Sequence, residues 1–181
     1  MRILKNSSIL IFLLLLLSNT GCLVFQKISY KILINEDKSG TANIYITDIT
    51  SDAIDEEAFR QDTAAIFTFM QNSDEFIEDM KTEGRFITHR KLIVKNDELD
   101  AEVKYNFKNI SGVENINYED GFYFITMDIS DSIITTNGEI INSGSYKRIL
   151  WDDQQKLLSF EMFSAETDAY RKLGLYYKKQ E

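Results

Sequence analysis

Apolar and polar residues alternate one by one over much of this chain. Ile28, Tyr30, Ile32 and Ile34 alternate with Ser29, Lys31 and Leu33. A turn cluster, Asn35-Glu36-Asp37-Lys38-Ser39-Gly40, follows, and then Ala42, Ile44 and Ile46 alternate with Asn43, Tyr45 and Thr47. A period of two broken by turn residues predicts an antiparallel hairpin. Over residues 52–82 the period lengthens: Ala58, Phe59, Ile66, Phe69, Met70, Phe76, Ile77 and Met80 recur at three and four residues, as on an amphipathic helix. Asp52 is placed to cap its start, with Asp55, Glu56 and Glu57 favourable near the positive N-terminus. Asn72-Ser73-Asp74-Glu75 has the form of a second cap, so the stretch reads equally as one kinked helix or as two, with Gly84 as the stop.

Strands then resume over residues 86–94 and 98–108, joined at Asn96-Asp97. In the second of them Leu99, Ala101, Val103, Tyr105 and Phe107 share one face, and Asp100, Glu102, Lys104, Asn106 and Lys108 the other. One face should pack and the other meet water. A short helical turn is expected over 109–115, and Tyr118-Glu119-Asp120-Gly121 turns into a strand over 122–129. Asn137-Gly138, lying between Ile133-Ile134 and Ile140-Ile141, is a two-residue hairpin signal, which makes 130–145 a projecting hairpin or a mobile loop. A last hairpin spans 146–163 around Asp152-Asp153, and a terminal helix is expected over 165–177. This order predicts an α+β fold: an antiparallel sheet of hairpins, one long helix (kinked or not) on one face, and a short C-terminal helix. Residues 28–181 are expected to form one domain.

The N-terminus has a different character. Arg2 and Lys5 precede an unbroken apolar run, residues 9–17, and Ser18, Asn19, Thr20 and Gly21 then lead into Cys22. This is the three-part plan of a secretory signal, and the run is well short of the roughly 20 residues a spanning helix needs. Thr20-Gly21-Cys22 resembles the lipobox of bacterial lipoproteins. Asn19 departs from the pattern, standing where that family usually has Leu, with Leu17 two positions earlier. The resemblance implies that the Cys22 thiol carries diacylglycerol and palmitate-type chains, that residues 1–21 are removed, and that the protein is exported and held at a membrane of the cell envelope. Residues 22–27 would be a short tether, reaching about 15 Å at most. Leu23 is not the Asp that retains many lipoproteins in the inner membrane, so in a Gram-negative host the resemblance favours the outer membrane, facing the periplasm. The hairpin, helix, hairpin order and the segment Tyr105-Asn106-Phe107-Lys108-Asn109-Ile110 also look like the LppM-type domain of some bacterial lipoproteins, over about residues 28–129. That likeness implies a cell-envelope role and brings no catalytic residues.

Charge and composition narrow the chemistry. The chain has 181 residues and a net charge of −9, which becomes −11 once Arg2 and Lys5 leave with residues 1–21. Acidity of this order argues against nucleic acid as a partner. With Cys22 assigned to lipid, no thiol remains for catalysis or for a disulfide, and His89 is the one histidine. No cofactor, metal site or catalytic set is therefore expected. Asp152-Asp153 and Asp97 to Asp100 are the densest carboxylates, but both lie in expected turns, where Asp is common for turn reasons. The 35–40 cluster faintly suggests a calcium loop, without the alternation of ligands such a loop needs. Arg171, Lys172, Lys178 and Lys179 form a local basic cluster, with a membrane-surface contact as the functional reading and a favourable helix C-terminus as the plain one. Phe59, Phe69, Phe76, Tyr105, Phe107, Phe122, Phe124, Phe160 and Phe163 read first as core and second as the lining of an apolar pocket under the helix. The expectation is a non-enzymatic, lipid-anchored envelope protein with a binding or assembly role, and envelope proteins as its partners. Two alternatives stand beside it. One is a carrier or sensor of an apolar ligand held between helix and sheet, which needs a cavity of roughly 300 Å3 or more. The other is a hydrolase using paired carboxylates.

Overall fold

Hairpin pairing carries most of the molecule. The computed structural model describes residues 22–177. The main sheet has six strands: β2 (Lys27–Ile34), β3 (Gly40–Thr47), β5 (Arg85–Lys95), β6 (Glu98–Phe107), β9 (Ser132–Thr136) and β12 (Leu157–Phe163). Their order is β5-β6-β3-β2-β12-β9, antiparallel throughout. A second sheet has the order β10-β11-β8-β7, from β7 (Asn117–Glu119), β8 (Phe122–Asp128), β10 (Glu139–Asn142) and β11 (Tyr146–Asp152). A third, small sheet has β4 (Thr50–Ser51) at its centre, flanked by β1 (Leu23–Val24) and β13 (Arg171–Lys172).

One face of the main sheet serves two cores. Toward one end, Ile32, Ile34, Ala42, Tyr105 and Phe107 pack with Tyr123, Ile125, Ile149 and Trp151 of the second sheet. Toward the other end, Leu92, Leu99 and Ala101 pack with Ile49 before β4, with Phe59, Ile66 and Phe67 of the helical stretch and with Leu173 of the C-terminal segment. Among the described residues both cores are built from residues 23–177.

The expected α+β fold with a long helix over the sheet is not what forms. Strand takes 49% and helix 21%, and the helices are short, so the molecule is mostly antiparallel β. The stretch 52–82 is three pieces: α1 (Glu56–Thr63), a π-helical segment (Ala64–Met70) and α2 (Asp74–Thr82). Local chemistry explains the breaks. Thr50 and Ser51 pair as β4, so Asp55 rather than Asp52 caps α1, accepting from the Ala58 N–H at 2.8 Å. The Asn72 side chain donates to the Phe67 carbonyl, and Ser73 caps α2. The terminal helix expected over 165–177 shrinks to α3 (Gly174–Tyr177). Buried Asp48 accepts from Thr167 Oγ1 at 2.5 Å and from Lys172 Nζ at 2.6 Å, which holds the segment before α3 extended on β4.

Asn137-Gly138 does not close a hairpin. β9 pairs with β12 in the main sheet, whereas β10 pairs with β11 in the second, so these two residues carry the chain from one sheet to the other. The expected tether is not free chain either. Leu23 and Val24 pair with Ser51 and Thr50, and the Cys22 N–H donates to the Asp52 carboxylate. Among the described residues no helix is long and apolar enough to cross a membrane.

Candidate ligand-binding site

The two cores do not meet. Between them, on the same face of the main sheet, lies a cavity of about 230 Å3. Ile28 and Tyr30 of β2, Ile44 and Ile46 of β3, and Val103 and Tyr105 of β6 form its floor. Phe69 and Met70 of the π-helical segment and Phe76 and Met80 of α2 form its roof. A π turn adds a residue to each repeat and so re-aims successive side chains, and such turns recur at functional sites. The roof is light, because no residue of α2 is buried.

A register shift in β5 sets one wall. Ile87 pairs with Tyr105, but His89 pairs with Lys104 and Arg90 with Val103, so Thr88 is bulged. Past the bulge the sides exchange: His89 is exposed, and Arg90 turns toward the cavity. Its Nη1 donates to the carbonyls of Met70 at 2.9 Å and Ser73 at 3.0 Å. Arg90 thereby ties the roof to the sheet where the helical stretch breaks.

The opposite wall is a polar pole made by Glu83, Arg85, Tyr30, Tyr105 and Glu114. Arg85 is 6% exposed and Tyr105 is 2% exposed. Arg85 Nε donates to the Gly112 carbonyl at 2.9 Å, and its guanidinium lies 5.8 Å from the centre of the Tyr105 ring. Arg85 Nη2, the Tyr105 hydroxyl and Glu83 Oε2 are buried without a protein partner. Each such atom costs about 1–3 kcal/mol, and native interiors rarely leave them clustered. The Tyr30 hydroxyl donates to the Glu114 carboxyl, which lies inside although the residue as a whole is part-exposed. Glu114 (φ 48°) and Asn115 (φ 57°) are both left-handed, a conformation Asn tolerates but one that costs Glu114 about 1–3 kcal/mol. The pair follows the short 3-10 turn Ile110–Gly112 and delivers Glu114 to the pole.

Burial pushes the Glu114 carboxyl above its ordinary value of 4.5, against the smaller opposing pull of Arg85 and the Tyr30 hydrogen bond. An acid whose folded pKa is raised stabilises the fold fully below its unfolded pKa and loses that contribution as pH rises through the folded one. Stability relative to a Glu114→Gln variant should therefore be constant below about pH 4.5 and decline above it, by at most about 1.4 kcal/mol per pH unit. Urea unfolding of both proteins across pH 4 to 7 reads this difference, and a flat difference would show that Glu114 titrates normally. Asp62, raised chiefly by burial and bonded to Ser51, adds a slope of the same sign to both proteins and cancels in the comparison.

The residues singled out from sequence are scattered. Cys22 sits part-buried at the end of the small sheet, its thiol pushed up by burial and then by Asp52 and Asp62, which disfavours a reactive thiolate. Arg171 and Lys172 share that sheet with Leu23, all reaching β4. Their charges face protein partners: Arg171 pairs with Glu56 at 2.8 Å and lies 3.6 Å over the Phe59 ring, and Lys172 pairs with buried Asp48. Residues 1–21, and with them the signal segment, and Lys178 and Lys179 lie outside the described residues. β11 and β12 do not pair with each other, so the expected last hairpin around Asp152-Asp153 is instead a turn that carries the chain from the second sheet to the main one. There Asp152 and Asp153 accept from Gln154, and Asp153 also from Tyr118 of β7. Asp100 accepts from the Tyr45 hydroxyl and the Asp48 N–H. Asp37 accepts from Ser39, closing the 35–40 turn, and the depression beside it is wide open to solvent. Of the aromatics, Phe69, Phe76 and Tyr105 line the cavity, Phe59, Phe107 and Phe160 are core, and Phe122 is 39% exposed. Sequence reading missed Glu83, Arg85, Arg90 and Glu114. A charged residue on the inward side of a strand is the signal for the two arginines, and the bulge hides it for Arg90. No family model matches the chain, and neither a curated protein nor a solved structure matches it.

Proposed function

We propose that this is a lipid-anchored, non-catalytic binding protein of the bacterial cell envelope, in which Cys22 carries the lipid and the cavity between the helical pieces and the main sheet holds an apolar ligand. The observation that carries the binding half is the cavity itself: a dry floor of Ile28, Ile44 and Val103 under a roof of Phe69, Phe76 and Met80. At about 230 Å3 it is smaller than the roughly 300 Å3 where drug-sized ligand sites begin, so it suits one short chain. Support for the anchor comes from the sequence pattern before Cys22 and from Ile54, which stands 99% exposed two residues after Asp52, the partner of Cys22. A large apolar side chain in that position gains from contact with a bilayer. The raised thiol, the turn-bound Asp152 and Asp153, and Asp100, which is committed on β6 to Tyr45 and the Asp48 N–H, favour binding over catalysis.

Phenylnaphthylamine, an uncharged fluorophore that brightens in apolar surroundings, tests the binding half on residues 22–181, one of its two ring systems entering the cavity and the other staying in its mouth. Fluorescence enhancement is expected to saturate at one site per chain. Val103→Phe, which grows a ring from the middle of β6 into the cavity, should abolish that enhancement while the melting transition stays cooperative. Enhancement that survives Val103→Phe would move the site elsewhere.

A further inference from the structure

Granted that reading of the cavity, the polar pole sets what kind of head the ligand carries. We infer that the site selects an uncharged amphiphile, a short alkyl chain ending in a hydroxyl or a primary amide, over an alkyl carboxylate or an alkylammonium of the same length. Two buried donors without protein partners, Arg85 Nη2 and the Tyr105 hydroxyl, stand at the same pole as an acceptor in the same condition, Glu83 Oε2. A hydroxyl or primary amide accepts from the first pair and donates to the acceptor, so it meets both kinds of need at once. A carboxylate only accepts, and it leaves Glu83 Oε2 unmet. An ammonium only donates, and it leaves Arg85 Nη2 unmet.

Charge gives the same answer. The pole holds one guanidinium, Arg85, and two carboxyl groups, Glu83 and Glu114. With Glu114 ionised, a ligand carboxylate becomes the third negative group around one positive one. With Glu114 protonated by its burial, Glu83 still matches Arg85, and the pole is neutral overall. In neither state does an anion at this pole find a surplus positive charge, and burying an unmatched ion is costly. Arg90, Lys91 and Glu102 also line the cavity, and Arg90 is held on the other wall by the Met70 and Ser73 carbonyls. An ammonium finds a neutral pole when Glu114 is protonated and one surplus carboxylate when it is ionised, and in both states it leaves Arg85 Nη2 unmet. The apolar part fits a chain of about eight carbons, since about 230 Å3 holds about eight groups of water or methylene size at about 30 Å3 each.

Calorimetric titration of residues 22–181 with n-octanol, octanoate and octylamine at neutral pH tests this. Octanol is expected to bind at least about tenfold more tightly than octanoate, from like-charge contact at an effective dielectric of about 20, and more tightly than octylamine, which leaves Arg85 Nη2 unmet. Glu83→Gln removes one carboxylate and should narrow the gap between octanol and octanoate. Octanoate or octylamine binding as tightly as octanol, or a gap that Glu83→Gln leaves unchanged, would overturn the head-group selection while saturable phenylnaphthylamine binding still upheld the cavity. Silence of all four probes would remove both readings.

Discussion

Replacing Cys22 by Ala should abolish acyl labelling of this protein and leave it as an unprocessed precursor. In cells fed alkyne-tagged palmitate, the wild-type chain takes up the tag and runs at the size of residues 22–181. The variant takes up none and keeps residues 1–21. The expectation follows from the likeness of Arg2 and Lys5, the apolar run and Thr20-Gly21-Cys22 to the bacterial lipoprotein signal, which implies acylation of the thiol and a cut before Cys22. Each buried methylene contributes about 0.8 kcal/mol, and two or more chains hold a protein at a bilayer where one does not. The fold should not notice the change. The Cys22 thiol is part-buried and in neither core, and the backbone N–H at this position still donates to Asp52 after the substitution. Unfolding of residues 22–181 with the Cys22→Ala substitution should therefore match wild type within about 0.5 kcal/mol. An untagged wild-type chain, or a variant cut at the usual place, would mean an ordinary signal peptide followed by an incidental cysteine. The geometry gives the anchor a consequence for function. Phe25, three residues on, lines the cavity, and β1 pairs with β4 at once, so a lipid on Cys22 would be joined to the cavity by two paired residues rather than by a loose linker.

Strands with one packed face were legible because their alternation is a direct image of burial. β6 shows it best: Leu99, Ala101, Tyr105 and Phe107 are buried as their spacing demands. Its outer face holds the first departure, since Asp100 is 7% exposed, covered by the Tyr45 hydroxyl at 2.6 Å and the Asp48 N–H at 2.9 Å. Such long-range partners leave no trace in a local pattern. The helical period over 52–82 was real, but period alone does not say whether the hydrogen-bond ladder is continuous, and Ser73 and Asn72 interrupt it. The cavity shows the limit most clearly. Its aromatic roof was written in the spacing of Phe69, Phe76 and Met80, whereas its polar pole depends on strained Glu114 and its arginine tie on a bulge at Thr88. A bulge shifts the inward side by one residue, and no count of alternating residues reveals where it falls.

Gly138→Ala should destabilise the protein by about 3 kcal/mol, the upper end of overpacking costs. A Cβ there would lie 2.6 Å from Trp151 Nε1, 2.7 Å from Ile149 Cγ2 and 2.7 Å from the Leu150 carbonyl oxygen. Trp151 is 1% exposed and is held by its Nε1–H to Asn137 Oδ1 at 2.8 Å, so it cannot swing aside without breaking that bond. The Leu150 oxygen belongs to β11 and has less freedom still. Asn137 is equally committed: its Oδ1 also accepts from the Ser159 N–H, and its Nδ2 donates to the Leu157 carbonyl. The dipeptide that looked like a turn is thus a stitch between sheets, where Asn satisfies backbone on β12 and Gly lets β11 approach. Two controls separate these meanings. Gly144, with nothing within 4 Å of its would-be Cβ, should accept Ala within about 0.5 kcal/mol. Gly138→Asn discriminates more sharply, because Asn tolerates the left-handed backbone of a two-residue hairpin and would be harmless there. At a crossing with no room for a Cβ, Asn must cost at least as much as Ala. Equilibrium urea unfolding with an unchanged m-value reads all three substitutions, and an Asn variant as stable as wild type would restore the hairpin and undo the sheet-to-sheet crossing at Gly138.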